Sequence, residues 1–204
     1  ENGFQDTKIL ASNDLDEFVV DSLQLQQAQI DAWGIGTKLV TAYDQPALDG
    51  VYKMGAIRDP GKDWQYKIKI AEQSNKLTTP GIQQVRRYRQ NGYYAADMIY
   101  DVQQGFEIPC TMVDPFDITR QRHFESEANW EDLLQPVFRQ GKAVQESPSL
   151  NSIRERVQSQ LNGFHSAVLR TVNPHEYPVG MERGLFNLRT KLALEVRNQS
   201  RHAN

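Results

Sequence analysis

Two short apolar runs with one helical repeat between them constrain this chain more than any other feature. Lys8–Ala11 (KILA) and Ile30–Trp33 (IDAW) have the length of buried strands, and each runs into a polar turn. Between them Leu15, Phe18, Val19 and Leu23 recur at helical spacing, which predicts a helix from Asp14 to Gln27. Asp14 is the expected N-cap, and Glu17 three residues later completes a capping-box pattern. Strand, helix and strand in so short a span make a βαβ unit, with parallel strands and a right-handed crossover. The expected class at this end of the chain is α/β.

Parallel strands bring their C-terminal ends to one edge, and that is the edge where α/β folds bind ligands. Two polar turns fall there. Ser12-Asn13 follows the first strand and Gly34-Ile35-Gly36-Thr37 the second. Glycines let the backbone approach a bound group, and the N–H groups after them can point at an anion. Thr37 adds a hydroxyl and Lys38 a point charge. Gly-x-Gly-Thr is also the form of an ordinary strand-to-helix turn; its place at a strand end favours a phosphate site. Asn13 can bond a ribose hydroxyl or a phosphate oxygen. The candidate phosphate-binding residues are Ser12, Asn13, Gly34, Gly36, Thr37 and Lys38.

After Gly50 the pattern changes to alternation. Val51–Met54 reads as a strand, Asp59-Pro60-Gly61-Lys62 as a turn and Tyr66–Ile70 as the returning strand. Gln83–Arg89 and Tyr93–Tyr100 are expected to form a hairpin about Asn91-Gly92. Gln121–Gln145 is charged and reads as irregular, anchored by Trp130, Leu133 and Leu134. Ser147-Pro148-Ser149 opens an amphipathic helix with Leu150, Ile153, Val157, Leu161 and Phe164 on one face. Leu185, Leu188, Leu192 and Val196 mark a terminal helix. The expected divisions are residues 1–50 for the βαβ end, 51–120 for a β-rich section and 121–204 for a helical region.

Composition narrows the function. A formal net charge of −3 gives no general attraction for nucleic acid. Arg86, Arg87 and Arg89, interleaved with Tyr88, Tyr93 and Tyr94, could form a basic aromatic surface. The acidic balance favours instead a hairpin whose alternating side chains meet solvent. One cysteine, Cys110, excludes an internal disulfide and suits a reducing compartment, so a cytoplasmic location is expected. No apolar run is long enough to span a membrane. His123, His165, His175 and His202 are scattered without metal-ligand spacing. Lys67, Lys69, Glu72 and Lys76 could hold a phosphate, or could simply alternate along an exposed strand. Asp114 and Asp117 read as turn caps before they read as metal ligands. The polar start, ENGFQDTK, leads at once into an apolar strand, which reads as a chain beginning within a domain.

ILASNDLDE and IDAWGIGTKLVTAYDQPALDGVYKM resemble the nicotinate phosphoribosyltransferases. KIKIAEQSNKLTTPGIQQVRRYR is similar to that family's Lys-rich strand and Thr-Pro-Gly turn, and NPHEYPVGMERGLFNLRTKLALEVRN to its C-terminal end. The resemblance implies part of a phosphoribosyltransferase α/β barrel, a β-rich sandwich-like section and C-terminal helices. It implies condensation of nicotinate with phosphoribosyl pyrophosphate to nicotinate mononucleotide, a step of NAD biosynthesis, with coupled ATP hydrolysis and Mg²⁺. The family's Gly-Val-Gly-Thr, associated with the phosphate of the phosphoribosyl group, matches Gly34, Ile35, Gly36 and Thr37. Its Ser-Asn-Asp turn matches Ser12, Asn13 and Asp14. Asp49 departs from the family, which more often has a second glycine there.

The family's phosphorylated catalytic histidine, its carboxylate-binding arginine and its Asp-Ser-Gly-Asp segment precede the region that Glu1 would match. None of the four histidines here takes the catalytic role. The expectation is a C-terminal half, inactive alone, that works with its own N-terminal half in a homodimer and binds neither nucleic acid nor membrane. The alternatives are a nicotinamide or quinolinate phosphoribosyltransferase, or a non-catalytic phosphate- or nucleotide-binding protein.

Overall fold

The computed structural model describes residues 3–47, 50–71 and 77–202. Strands β1 (Leu10–Ser12) and β2 (Ala32–Gly34) run parallel, joined through helix α1 (Glu17–Leu25). Their register sets Leu10 against Ala32, Ala11 against Trp33 and Ser12 against Gly34. The βαβ unit expected from the apolar spacing is present, with both strands shifted one or two residues toward their polar turns.

The backbone between β1 and α1 corrects the expected cap. Asn13 and Asp14 have φ angles of 90° and 47°, in the left-handed region that Asn and Asp tolerate better than other side chains. An N-cap needs extended backbone. Asp16 has it, with φ −131° and ψ 179°, and its Oδ1 accepts the Val19 amide at 2.8 Å. The helix therefore starts at Glu17, and no capping box joins Asp14 to Glu17. Leu15, just after the left-handed pair, is buried. After β2 a single helical turn, α2 (Thr37–Val40), follows the glycines. Asp49 lies outside the described residues.

The chain divides into two compact units, residues 1–52 with 171–173, and residues 53–170 with 174–204. Val51–Met54 forms no strand. The short pair is instead β3 (Ala56–Ile57) with β4 (Gln65–Tyr66), antiparallel. Gly55 accounts for the shift. Its carbonyl accepts the amides of Lys67 and Gly81, both at 2.9 Å, and a side chain on it would put Cβ 2.6 Å from the Gly81 oxygen. Lys69 then pairs with Thr78 through the Thr78 amide and hydroxyl, so the KIKI segment is held locally and not as a long strand.

The second unit is built on the hairpin of β5 (Gln83–Gln90) and β6 (Tyr93–Asp101). Asn91 and Gly92 both have positive φ, 52° and 83°, as a two-residue hairpin turn of the I′ type requires. Strands β7 (Cys110–Val113), β8 (Gln121–Phe124) and β9 (Asn129–Asp132) follow, then the two-residue pair β10 (Phe138–Arg139) and β11 (Lys142–Ala143). Helix α3 (Leu150–Leu161) comes next, then strand β12 (Val179–Glu182) and helix α4 (Arg183–His202). The main sheet has the order β8-β7-β12-β6-β5-β9, with β12 parallel to β6 and antiparallel to β7. Residues 121–145, expected to be irregular, thus supply two strands of the sheet and a separate short pair.

The core gathers Tyr88, Ala96, Met98, Cys110, Met112 and Phe124, with the Tyr88 and Phe124 rings stacked at 3.7 Å. Helix α4 packs on β7 and β12, and its Leu185, Arg189 and Ala193 form a buried stripe at four-residue spacing, with Arg189 donating to the Leu77 and Thr78 carbonyls. Helix α3 forms where expected, capped by Ser149 on the Ser152 amide. Its apolar face, Leu150, Ile153, Val157 and Leu161, is exposed.

Arg86 and Arg87 are largely withdrawn from solvent, while Arg89 is about a third exposed. Arg86 lies opposite Asp132 on β9, binds it with Nε and Nη2 at 2.8 and 2.9 Å, and stacks over Trp130 at 3.5 Å. Arg87 lies opposite Asp97 on β6 and binds it at 2.8 and 2.7 Å, while the Tyr177 hydroxyl donates to the same carboxylate at 2.9 Å. Cross-strand carboxylates neutralise Arg86 and Arg87, so both cations are held against the sheet.

Candidate phosphate-binding turns

The two polar turns come together where the parallel pair ends. Ser12 and Gly34 are register partners, and a Cβ on Gly34 would sit 3.0 Å from the Ser12 Cβ. Glycine at 34 therefore relieves a tight contact across the strand pair. Gly36 differs: a Cβ there would meet nothing within 4 Å, so packing among the described residues leaves that position open. Gly36 caps α2 with its carbonyl, which accepts from Leu39 and Val40 at 3.1 and 3.0 Å.

The amides of Thr37 and Lys38 have no acceptor among the described residues, as at any first helical turn. The Thr37 carbonyl accepts from the amide and hydroxyl of Thr41, at 3.0 and 2.7 Å. Ser12, Asn13, Gly34, Gly36 and Thr37 are all exposed. Asn13, at φ 90°, turns the chain directly after β1.

Lys38 is placed otherwise than a free point charge. Its Nζ lies 2.6 Å from Asp16 Oδ2 and 5.4 Å from the centre of the Tyr43 ring. The hydrogen bond from Lys38, with the Val19 amide, holds the Asp16 carboxyl below its ordinary pKa. The same contact raises that of Lys38. Asp16 and Lys38 line a cavity of about 540 Å³ with Val20, Leu39 and Tyr43. The cap role of Asp16 is what sequence reasoning gave to Asp14 instead. Its signal was the second aspartate of DLDE, two positions after the one taken as the cap.

The other candidates resolve into structure. Asp114 and Asp117 cap their own turn, on Phe116, Asp117 and Thr119. Lys67 reaches Gln65; Glu72 and Lys76 lie outside the described residues. His123 bonds Thr111, and the His165 ring accepts the Ala167 amide. Among the described residues no group of three or more His, Cys, Asp or Glu side chains could hold a metal ion. None of the described helices is long and apolar enough to cross a membrane.

One unit holds a parallel strand pair ending in two exposed polar turns and the other a six-stranded mixed sheet, which makes this a mixed α/β chain. Comparison with known proteins gives the family. Residues 82–189, more than half of the chain, match the family described as nicotinate phosphoribosyltransferase C-terminal domain, and the chain belongs to it. A nicotinate phosphoribosyltransferase of Bacillus subtilis is 36% identical over 205 residues, covering 98% of this chain and 41% of that protein. One from Dictyostelium discoideum is 32% identical over 205 residues, covering 94% of this chain and 33% of that protein. The crystal structure of human nicotinic acid phosphoribosyltransferase superposes with a TM-score of 0.63 over 92% of this chain and 33% of that one. At 22% identity this last likeness is one of fold. The chain thus spans between a third and two fifths of the length of these relatives.

Proposed function

We propose that this chain works as the C-terminal part of a nicotinate phosphoribosyltransferase, which forms nicotinate mononucleotide from nicotinate and phosphoribosyl pyrophosphate with coupled ATP hydrolysis. The observation that carries the reading is the match to relatives of that name along nearly the whole chain, from the strand-end turns to the terminal helix. In this reading β1, α1 and β2 are one segment of an α/β barrel completed by the protein's own N-terminal half, and the enzyme is a homodimer.

The part this chain plays is positioning. Loss of pyrophosphate from the ribose C1 develops oxocarbenium-like charge, and the rate depends on holding the sugar phosphate still while nicotinate approaches. The backbone at Gly34, Gly36 and Thr37, with the Thr37 hydroxyl and the Ser12-Asn13 turn, forms the cradle for the 5-phosphate, with Lys38 behind it. Gly36 suits that use because its open side leaves room for an anion against the backbone. Mg²⁺ enters as the counter-ion of the pyrophosphate. The described residues offer no carboxylate cluster for it, and no step is assigned to it here.

The test is kinetic, in the full-length protein. Thr37→Val keeps the shape and removes one hydrogen bond to a charged group, a contribution of about 1.5–3 kcal/mol, so donor affinity falls about tenfold to a hundredfold. The nicotinate KM stays nearly unchanged. An unaltered donor KM with a lowered melting temperature would show instead that Thr37 serves only the helical turn.

A further inference from the structure

We propose that Asp16 is a positioning residue for the phosphate turn, and that Lys38 serves the turn through Asp16 instead of binding the phosphate itself. The proposal rests on the phosphate reading above and adds a support that its motif does not contain.

Two bonds meet on one carboxylate. Asp16 Oδ1 accepts the Val19 amide at 2.8 Å, which fixes the group to the first turn of α1. Asp16 Oδ2 accepts from the Lys38 ammonium at 2.6 Å, which ties it to α2, 22 residues further on. The two polar turns are therefore joined twice. The Ser12–Gly34 strand pair joins them at the sheet, and the Asp16–Lys38 pair joins the elements that follow. Asp16's side chain is 13% exposed and that of Lys38 36%, so water competes only partly for the contact.

The ammonium is already neutralised. A cation with a carboxylate in hydrogen-bond contact presents little net charge to a second anion. The placement agrees. Lys38 lines the cavity beside Val20 of α1 and Leu39 of α2, together with Asp16, whereas Ser12, Asn13, Gly34, Gly36 and Thr37 do not line it. Each partner favours the charged form of the other, so the clamp is closed throughout the neutral range.

Two variants in the full-length protein give opposite signs for the competing roles. If Lys38 bound the phosphate and Asp16 held it back, Asp16→Asn would release it and tighten donor binding, while Lys38→Met would weaken it. As a clamp, both variants loosen the same turn. The KM for phosphoribosyl pyrophosphate then rises about tenfold in each, and the double variant is no worse than either single. The nicotinate KM stays within about twofold, and Asn keeps the N-cap, so the melting temperature of Asp16→Asn moves little. An unchanged or lower donor KM in Asp16→Asn overturns the proposal. So does additivity in the double variant, or a loss that appears equally in both KM values and the melting temperature. Thr37→Val, run alongside, separates the two readings. If it leaves the donor KM unaltered the phosphate site itself fails. If it raises the donor KM and Asp16→Asn does not, only the clamp fails.

Discussion

Gly34 and Gly36 stand two apart in one turn and are glycine for different reasons. At 34 a Cβ would press on the Ser12 Cβ at 3.0 Å, while at 36 it would meet open space. Alanine at 34 therefore requires Ser12 to give by a few tenths of an ångström, and the melting temperature is expected to fall. Alanine at 36 is expected to change the melting temperature less and, if the proposed phosphate lies on its open side, to raise the donor KM. Thermal melts and donor titrations of the two variants read these outcomes separately. A second residue-scale prediction concerns pH. Burial, then the hydrogen bond it donates to Asp101, push the Tyr66 hydroxyl up to about 12. A tyrosine whose folded pKa is raised contributes stability that is whole below its ordinary value near 10 and is lost as pH rises through the folded value. Burial pushes Tyr88, Tyr100 and Tyr177 in the same direction. Tyrosinate absorbance from these four residues should therefore appear above the ordinary tyrosine range. Tyr66→Phe should remove part of that amplitude and make stability less sensitive to alkali.

At the scale of elements the hairpin β5–β6 carries the second unit, and its ion pairs show how it is held. Arg87 and Asp97 are each 12% exposed and doubly bonded. Removing one partner of such a pair leaves a charge without compensation, at a cost of about 3–5 kcal/mol when fully buried. Arg87→Met is expected near the lower end of that range, because the Tyr177 hydroxyl still donates to Asp97. Arg87→Met with Asp97→Leu should recover part of the loss, since the Tyr177 hydroxyl then loses its acceptor, as measured by the urea midpoint. The turn of this hairpin was legible, since Asn91-Gly92 between two alternating runs specifies it chemically. The partners of its arginines were not. Asp132 lies 46 residues from Arg86, and no local window contains it. The strands at 121–124, 129–132 and 179–182 are four residues each, too short for a period to register. The cap of α1 was misplaced because two aspartates in DLDE both suit an N-cap, and only the left-handed pair at Asn13 and Asp14 decides between them. The strand-end turns themselves were legible, because parallel strands put their polar ends on one edge whatever the exact boundaries.

At the scale of the molecule the two units differ in how much core each holds. Of the buried apolar side chains in the described residues, Leu15 alone belongs to the first unit, whose Ile9, Leu10, Phe18, Leu25, Leu39 and Val40 are exposed. Its sheet is a single pair of three-residue strands. Such a pair is marginal in water, and its free edges invite other strands. The second unit has a six-stranded main sheet, a stacked aromatic core and α4 packed on two of the strands. Opening free energies should follow this division. In the 204-residue chain by itself, amides of α1 should exchange within the dead time of a hydrogen-exchange experiment while those of β5 and β6 persist. Limited proteolysis should remove the first fifty or so residues before touching the sheet. In the full-length protein the proposed barrel covers the same apolar faces, so the α1 amides should slow by orders of magnitude while β5 and β6 change little. Equal protection of α1 and β6 in the isolated chain would contradict the division. Unchanged exchange of α1 in the full-length protein would contradict the barrel reading and leave the family assignment intact. The proposed phosphate turns sit in the unit with the smaller core, so in the barrel reading their geometry is expected to depend on the segments that complete that unit.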